Sequence, residues 1–302
     1  MSISTLCQTV GITRQAYYQE RQRRAGEMVR DARVLSMVRM IRCRHPKMGT
    51  RKLLVRLEPQ LEQESLRIGR DQLFTLLRTA NLLVRRERQP RRTTWSGGLR
   101  LPNRVAGLTI TQIDQVWVTD ITYIQLQNGH FVYWFVVMDL FSRAILGEVL
   151  APTLEAQHAL VAIQQAAQRT GPALQNLIHH SDHGVQYTSR GYQDWLGTQG
   201  IVASMGQVGN SYDNAYAERV IGILKQEYAL GLPFVDAAQA RCVATEGVYL
   251  YNHERPHHAL AYAYPMAVYR GHATAKAFTV YLYEPAAAEP AACPPARQNR
   301  VS

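Results

Sequence analysis

Three carboxylates occupy places where a carboxylate is either expensive or well aimed. Asp120 lies in the middle of QVWVTDITYI, a run rich in β-branched and aromatic residues in which strand alternation puts it on one face with Val116, Val118 and Thr122. A charge buried there without a partner is driven to neutralise, so the fold must bring a cation or a hydrogen-bond network to it. Asp182, in LIHHSDHGVQYTS, follows a short apolar run and so stands at the carboxyl end of a strand, where open α/β sheets gather ligands. A turn aspartate before Gly184 is the plainer alternative for that residue alone. Glu218, in GNSYDNAYAERVIGILKQEY, falls on a helix that Ser211 or Asp213 would cap, and it shares a face with Ile221 and Lys225 beside an apolar stripe of Val220, Ile223 and Leu224. A strand, a strand end and a helix can converge at one edge of a sheet. Gathered carboxylate oxygens suit two magnesium ions, which prefer oxygen ligands and supply the charge that phosphoryl chemistry requires.

Competing chemistries fit less well. His179, His180 and His183 flank Asp182, but they fall on a strand end and a turn rather than at i, i+4 on a helix, and no cysteine or second histidine pair at finger spacing accompanies them. The cysteines at 7, 43, 242 and 293 form no Cys-x-x-Cys pair and no dense disulfide framework, and read as reduced thiols.

The elements that must position these acids are legible as a series. Segments 115–126, 130–138 and 143–150 are rich in Val, Ile, Tyr, Trp and Phe and are broken by Asn128-Gly129 and by Leu140 to Ser142, which predicts three antiparallel strands. A helix at about 153–169, a strand at 177–180, a helix near 189–199, a strand at 201–203 and helices at 213–229 and 236–252 follow. The expected fold class is α/β, a mixed sheet covered by helices. Within the 302 residues the longest purely apolar run is the eight residues from Phe131 to Met138, against the roughly 20 of a membrane span. The first residues lack the features of a secretory signal, so a cytoplasmic protein without membrane attachment is expected.

Ahead of this region the charge changes sign. Residues 1–104 carry 23 Lys and Arg against 8 Asp and Glu (+15), whereas residues 105–302 carry 11 against 15 (−4), so the whole chain's net +11 belongs to its first third. Such an excess points to a polyanionic partner. Residues 1–88 read as all-helical. A helix, a turn at Gly11 and a second helix capped by Thr13 put Arg14 and Gln15 outward. Later helices joined across Pro59 to Gly69 make a second helix-turn-helix candidate, with Arg70, Gln72 and Thr75 on the outer face of the last helix and Arg51 and Lys52 on the one before. Duplex DNA, gripped largely through phosphates, is the expected ligand. Residues 89–104 combine Pro, Gly and Arg as a linker; residues 271–302 form an extension, disordered by composition from about 284.

The order Asp120, Asp182, Glu218, with 35 residues between the last two and Lys225 seven positions after the glutamate, is joined by WVTDITYI, VVMDLFSRAILG, HHSDHGVQYTS, SMGQVGNSYDNAYAERVIGILKQEY and YNHERPHHALAYAYP. Over about residues 4–270 the chain resembles the DDE transposases of the IS-three insertion-sequence family, of the type encoded by the second open reading frame, with an integrase catalytic core. The resemblance implies a ribonuclease H-like fold with a mixed five-stranded sheet at 105–270. It implies magnesium-dependent strand cleavage and strand transfer, with Asp120 and Asp182 sharing one ion, Glu218 completing a second site, and manganese able to substitute. It also implies the partners: element ends and target DNA, a product of the upstream reading frame, and further copies of the chain assembled on DNA in the bacterial nucleoid. Lys225 would contact a phosphate at the DNA end. Asn210, Tyr212, Asn214, Arg255 and His257 match the same strings without an assigned role, and Gly206-Gln207-Val208 lacks the Arg or Lys often found in that loop. The competing class is a non-catalytic DNA-binding regulator with a degenerate core; the joint presence of three acids, their spacing and Lys225 favours the enzyme.

Overall fold

Small polar caps and one left-handed glycine shape the first helices of the computed structural model, which describes residues 2–84, 101–171, 174–206 and 214–280. Ser2 caps α1 (Ile3–Val10) by accepting from the Thr5 N–H, and Gly11 ends it at φ 73°, a conformation that costs a glycine little. Thr13 accepts from the Ala16 N–H and opens α2 (Arg14–Arg44). The predicted short second helix is thus the start of a 31-residue one. Its exposed first half is laced by ion pairs of Arg23 with Glu20 and Glu27, each a weak support at i, i+3 or i, i+4. Its second half buries Val34, Met37, Val38 and Ile41 against Leu53, Leu57 and Leu61 of α3 (Thr50–Gln63) and Leu73 and Leu77 of α4 (Arg70–Thr79). Pro59, expected to open the α3–α4 turn, lies on the exposed side within α3, and the turn begins at Glu64.

The remainder is built on one sheet. In chain order the elements are β1 (Thr109–Ile110), β2 (Val116–Gln125), β3 (Phe131–Asp139), β4 (Ile145–Ala151), α5 (Ala156–Thr170), β5 (Ile178–Ser181), α6 (Val185–Thr188), α7 (Arg190–Thr198), β6 (Val202–Met205), α8 (Ala215–Glu227), α9 (Ala237–His253), a 3-10 turn (His258–Leu260), α10 (Pro265–Tyr269) and β7 (Phe278–Thr279). Five strands line up as β4-β3-β2-β5-β6, the β2–β3 and β3–β4 pairs antiparallel and the β2–β5 and β5–β6 pairs parallel. This is the ribonuclease H-like arrangement. Alternation splits the apolar residues between two faces. Val116, Val118, Trp134 and Val136 pack with Val220, Ile221, Leu224 and Tyr251 from α8 and α9. Trp117, Phe135 and Val137 pack with Ala162, Ile163, Tyr192 and Leu196 from α5 and α7. At Gly147 a Cβ would meet the Ala162 carbonyl oxygen at 2.0 Å, so α5 lies directly on the β4 backbone. Among the described residues no helix is long and apolar enough to cross a membrane.

Two features close this unit. The free edge of β4 is occupied by side-chain amides: Asn252 accepts from the Ile145 N–H and donates back to its carbonyl, both at 2.9 Å, and Gln165 accepts from the Glu148 N–H at 3.1 Å. An edge filled in this way offers no pairing site to another strand. At the other terminus β7 pairs with β1, and Phe278 and Val280 join the core, so residues just past 270 are part of the same folded unit.

The helical region is held to the sheet unit by two acids at the ends of α8 and α9. Glu227 accepts from Lys52 Nζ at 2.7 Å and from Arg255 Nε and Nη2 at 2.7 and 2.9 Å. Glu254 receives Arg44 at 2.7 Å and His45 and Arg56 at 3.3 Å, while His45 also meets the Tyr228 hydroxyl at 3.2 Å. The Arg255 side chain is only 4% exposed, whereas Arg44 is 53% exposed. Removing one partner of a buried pair strands the other charge, at about 3–5 kcal/mol, against about 0–1 kcal/mol for a surface pair. Glu227→Ala should therefore shift the urea unfolding midpoint far more than Arg44→Ala does; equal shifts would contradict this account of the junction.

Candidate active site

The parallel register of β2 and β5 brings two of the three acids together. Val116 pairs with Ile178, Trp117 with His179 and Val118 with His180; two residues further along each chain stand Asp120 and Asp182. Neighbouring strands lie about 4.8 Å apart, so both carboxylates sit at the point where β5 ends. Both residues are half-buried. Asp120 Oδ1 accepts from the Ile121 N–H at 2.8 Å, and Asp182 Oδ1 from the Gly184 N–H at 3.0 Å. Both charges are felt by Tyr187. Its hydroxyl is 3.2 Å from Thr119 Oγ1, and its phenol is pushed well above the ordinary range by burial first, then by the Asp182 charge and, more weakly, by that of Asp120.

Helix α8 lies along the same stretch of β2. At its start the buried Asn214 donates from Nδ2 to the Thr119 carbonyl at 2.9 Å, and near its end Lys225 Nζ donates to the Tyr123 carbonyl at 2.9 Å. Eleven helical residues span about 16 Å and four strand residues about 13 Å, so the helix runs beside the strand. Glu218, one turn after Asn214, falls alongside Asp120 and is exposed. Burial lowers the Lys225 ammonium pKa while the Asp120 charge opposes the shift, which places this lysine within the field of the acids. Arg143, at φ 62°, fixes the start of α8 from the other side: its guanidinium lies 4.5 Å from the ring centroids of both Tyr216 and Phe278.

The donor set fits a hard divalent cation in kind, since it consists of carboxylate oxygens. Asp120 and Asp182 fit in position as well. With Glu218 added the set is not gathered: among the described residues no three His, Cys, Asp or Glu side chains are grouped closely enough to hold a metal ion.

The residues expected at DNA are divided. Arg51, Lys52 and Arg70 line one concavity of about 520 Å³ with Gly49, Thr50, Asp71 and Phe74, between the N-termini of α3 and α4. Arg51 and Arg70 are exposed there, Arg70 hydrogen-bonded to Asp71. Lys52 is instead engaged by Glu227, and Gln72 Oε1 accepts from the Gly69 N–H at the start of α4. Arg14 and Gln15 are exposed at the start of α2, away from this concavity. Asn210, Tyr212 and the Gln207-Val208 loop lie outside the described residues.

Other residues of the quoted strings hold the framework. Asp139 is buried and accepts from the Asp114 N–H, the Ser142 N–H and Ser142 Oγ at 2.9, 2.7 and 2.5 Å. Burial outweighs these bonds and pushes its carboxyl up to about 6. Arg255 and Asn252 serve Glu227 and the β4 edge. Sequence reasoning missed Arg143, which lies against the adjoining rings of Tyr216 and Phe278, and left Arg255 and Asn214 without roles, because every partner lies far away in the chain.

Comparison with known proteins gives two matches to families described as Integrase core domain, over residues 111–211 and 199–265. The transposase for insertion sequence element IS629 of Shigella sonnei is 30% identical over 262 residues, covering 84% of this chain and 86% of the relative. An uncharacterized 31 kDa protein of insertion element IS600, also of Shigella sonnei, is 31% identical over 273 residues, 87% of this chain and 96% of that one. Transposase InsF for insertion sequence IS3A of Escherichia coli K12 is 39% identical over 122 residues, 40% of this chain and 42% of the relative.

The histidines beside the acids are structural. His179 Nε2 meets the Tyr192 hydroxyl at 3.0 Å, His180 Nδ1 meets Ser204 Oγ at 2.9 Å, and His183 Nε2 donates to the Gly206 carbonyl. They turn to three different partners rather than to one ion. Burial, followed by the neighbouring His180, lowers His179 to about 3, and burial, followed by Arg255, lowers His257 to about 3. Folded values below the unfolded 6.5 mean stability that is present above pH 6.5 and lost as pH falls toward 3, by about 1.4 kcal/mol per pH unit for each histidine. Asp139 acts in the opposite sense, its contribution fading as pH rises from about 4 to about 6. His179→Gln should flatten the pH 5–6.5 dependence of urea-unfolding free energy by one proton; an unchanged slope would mean that the folded protein already holds that proton.

Proposed function

The chain belongs to the IS-three family of insertion-sequence transposases, and from that premise we propose that Asp120, Asp182 and Glu218 catalyse metal-dependent cleavage and joining of DNA strands at the ends of a mobile element. Its process is DNA transposition. The observation that carries the proposal is the juxtaposition of Asp120 and Asp182, each two residues past the last β2–β5 register pair, as two half-buried carboxylates that a divalent cation would stabilise.

Asp120 and Asp182 would hold one magnesium ion and Glu218 would complete a second site, such ions supplying charge stabilisation to the attacking and leaving oxygens of an in-line displacement at phosphorus. Tyr187, the tyrosine next to this pair in the fold, is buried with its hydroxyl 3.2 Å from Thr119 Oγ1, out of reach of a DNA phosphate. It is therefore a poor nucleophile, which leaves the attack to water or a DNA 3′-hydroxyl. Lys225 presents its ammonium beside Asp120 and would hold a phosphate of the DNA end. The basic helical region would grip duplex DNA at the concavity between α3 and α4, where Arg51 and Arg70 flank two helix N-termini that favour phosphate. Element ends and target are the duplexes; assembly of several copies on DNA and cooperation with an upstream-frame product belong to the same reading, as does action at the nucleoid in the bacterial cytoplasm.

Asp120→Ala, Asp182→Ala or Glu218→Ala should each abolish cleavage and joining of an element-end oligonucleotide in magnesium or manganese while leaving DNA binding nearly intact. Asn or Gln at these positions should fail almost as badly, because the amide keeps the shape and loses the charge. Activity in EDTA, or normal turnover by Glu218→Ala, would overturn the assignment, and a dispensable triad would favour the binding-only regulator. Arg51→Ala and Arg70→Ala should each reduce the salt dependence of duplex affinity by about one unit of slope. Lys52→Ala should act instead through the Glu227 junction and lower stability; salt-independent binding by the wild type would remove the phosphate-grip account altogether.

A further inference from the structure

Beyond the end of β5 the open edge of β2 carries more than the acids. Three residues past Asp120, about 10 Å along the strand, Tyr123 is 47% exposed, and Phe131 at the start of β3 is 43% exposed. Their rings meet edge to face, with centroids 5.5 Å apart and planes at 84°. Among the described residues this is the one contacting aromatic pair in which both members are exposed. Lys225 reaches over the same edge, its Nζ 5.1 Å from the Tyr123 ring centroid. The two aromatics are diagonal neighbours in the β2–β3 register, since Tyr123 faces Tyr133 and Phe131 faces Gln125. Such a diagonal pair helps the hairpin, but that role leaves so much ring surface in water without purpose.

We propose that Tyr123 and Phe131 form a stacking platform for an unpaired base at the end of the DNA strand, with Lys225 holding the adjoining phosphate. The inference rests on the reading of Asp120 and Asp182 as the reaction centre. Strand alternation puts the Tyr123 and Phe131 rings on the face of the sheet opposite Asp120, and Lys225, bound to the Tyr123 carbonyl at the edge with its ammonium 5.1 Å from the Tyr123 ring centroid, links the two. A strand that crosses the open edge with a phosphate at the acids therefore presents a neighbouring base to the rings. A base leaving its duplex loses stacking, and an aromatic face returns it without reading its identity. The platform would thereby favour a splayed end over a closed one and present the phosphate to the acids. Tyr123 is a positioning residue in this scheme; the bonds made and broken belong to the acids' site alone.

The test uses the full chain in calcium and two duplexes of about 20 base pairs that share one labelled strand, one fully paired and blunt and one with three mismatched pairs at one end, compared by fluorescence anisotropy. Wild type should prefer the splayed duplex by about 5- to 150-fold, the range that stacking of one base gives. Tyr123→Ala should erase that preference while leaving affinity for the blunt duplex unchanged, Tyr123→Phe should keep it, and Phe131→Ala should reduce it. A purely structural role would lower both affinities together and leave their ratio intact. Equal affinity of the wild type for the two duplexes, or a preference retained by Tyr123→Ala, overturns the proposal. Asp120→Asn separates it from the catalytic reading: a platform that works still discriminates between the duplexes in that variant, whatever becomes of strand cleavage.

Discussion

The active-site region exists because β5 is four residues long and β2 beside it is ten. Parallel pairing runs only as far as Val118, so the second half of β2 keeps β3 on one side and has no strand on the other. Backbone groups left bare in this way must find partners. The Thr119 carbonyl takes Asn214, the Tyr123 carbonyl takes Lys225 and the Gln125 carbonyl takes the Phe234 N–H. Those three contacts bring α8 and the segment after it to the uncovered edge. A longer β5 would satisfy the same carbonyls itself, and neither Asp182 nor α8 could then approach Asp120.

This geometry also connects the basic helices to the site. Helix α8 begins at Asn214 on β2 and ends at Glu227, which Lys52 and Arg255 hold from opposite sides of the junction. Desolvating three charges is costly, and their mutual attraction offsets that cost only in one geometry. Apolar packing alone would tolerate a slip of the helical region. The ionic junction instead fixes the register between the α3–α4 concavity and the acids.

What the sequence made legible follows the range of the interactions involved. The three antiparallel strands, the later helices and the alternation that buries Val116 and Val118 depend on neighbours within a few residues, and their predicted limits lie close to those observed. The acids were legible because a carboxylate in WVTDITYI conflicts with its surroundings, and because their order and strings resemble a known family. Lys52 was read as a phosphate contact since nothing near it reveals Glu227, 175 residues away. Arg143, Asn214 and Asn252 each act across the fold on aromatic rings or bare strand edges, and no local pattern encodes such partners. Pro59 misled for a different reason: a proline on the solvent side of a helix can be tolerated when the rest of that helix is anchored by Leu53, Leu57 and Leu61.

The different placements of the three acids have an electrostatic reason. Two aspartates on adjacent strands are held by short side chains and an inflexible backbone, so they repel each other whether or not a cation is present, by about 1 kcal/mol through water at 4 Å and more where the surroundings are drier. A third carboxylate fixed equally close would add two further repulsions, with the half-buried Lys225 as a neighbouring positive charge. Glutamate on an exposed helical face avoids this. Its longer side chain also has more rotamer freedom than an aspartate on a strand. Anchoring α8 at Asn214 and Lys225 fixes the backbone of Glu218 beside the same stretch of β2. The two aspartates are thus held by the sheet, and the glutamate by a helix anchored to the open edge of that sheet.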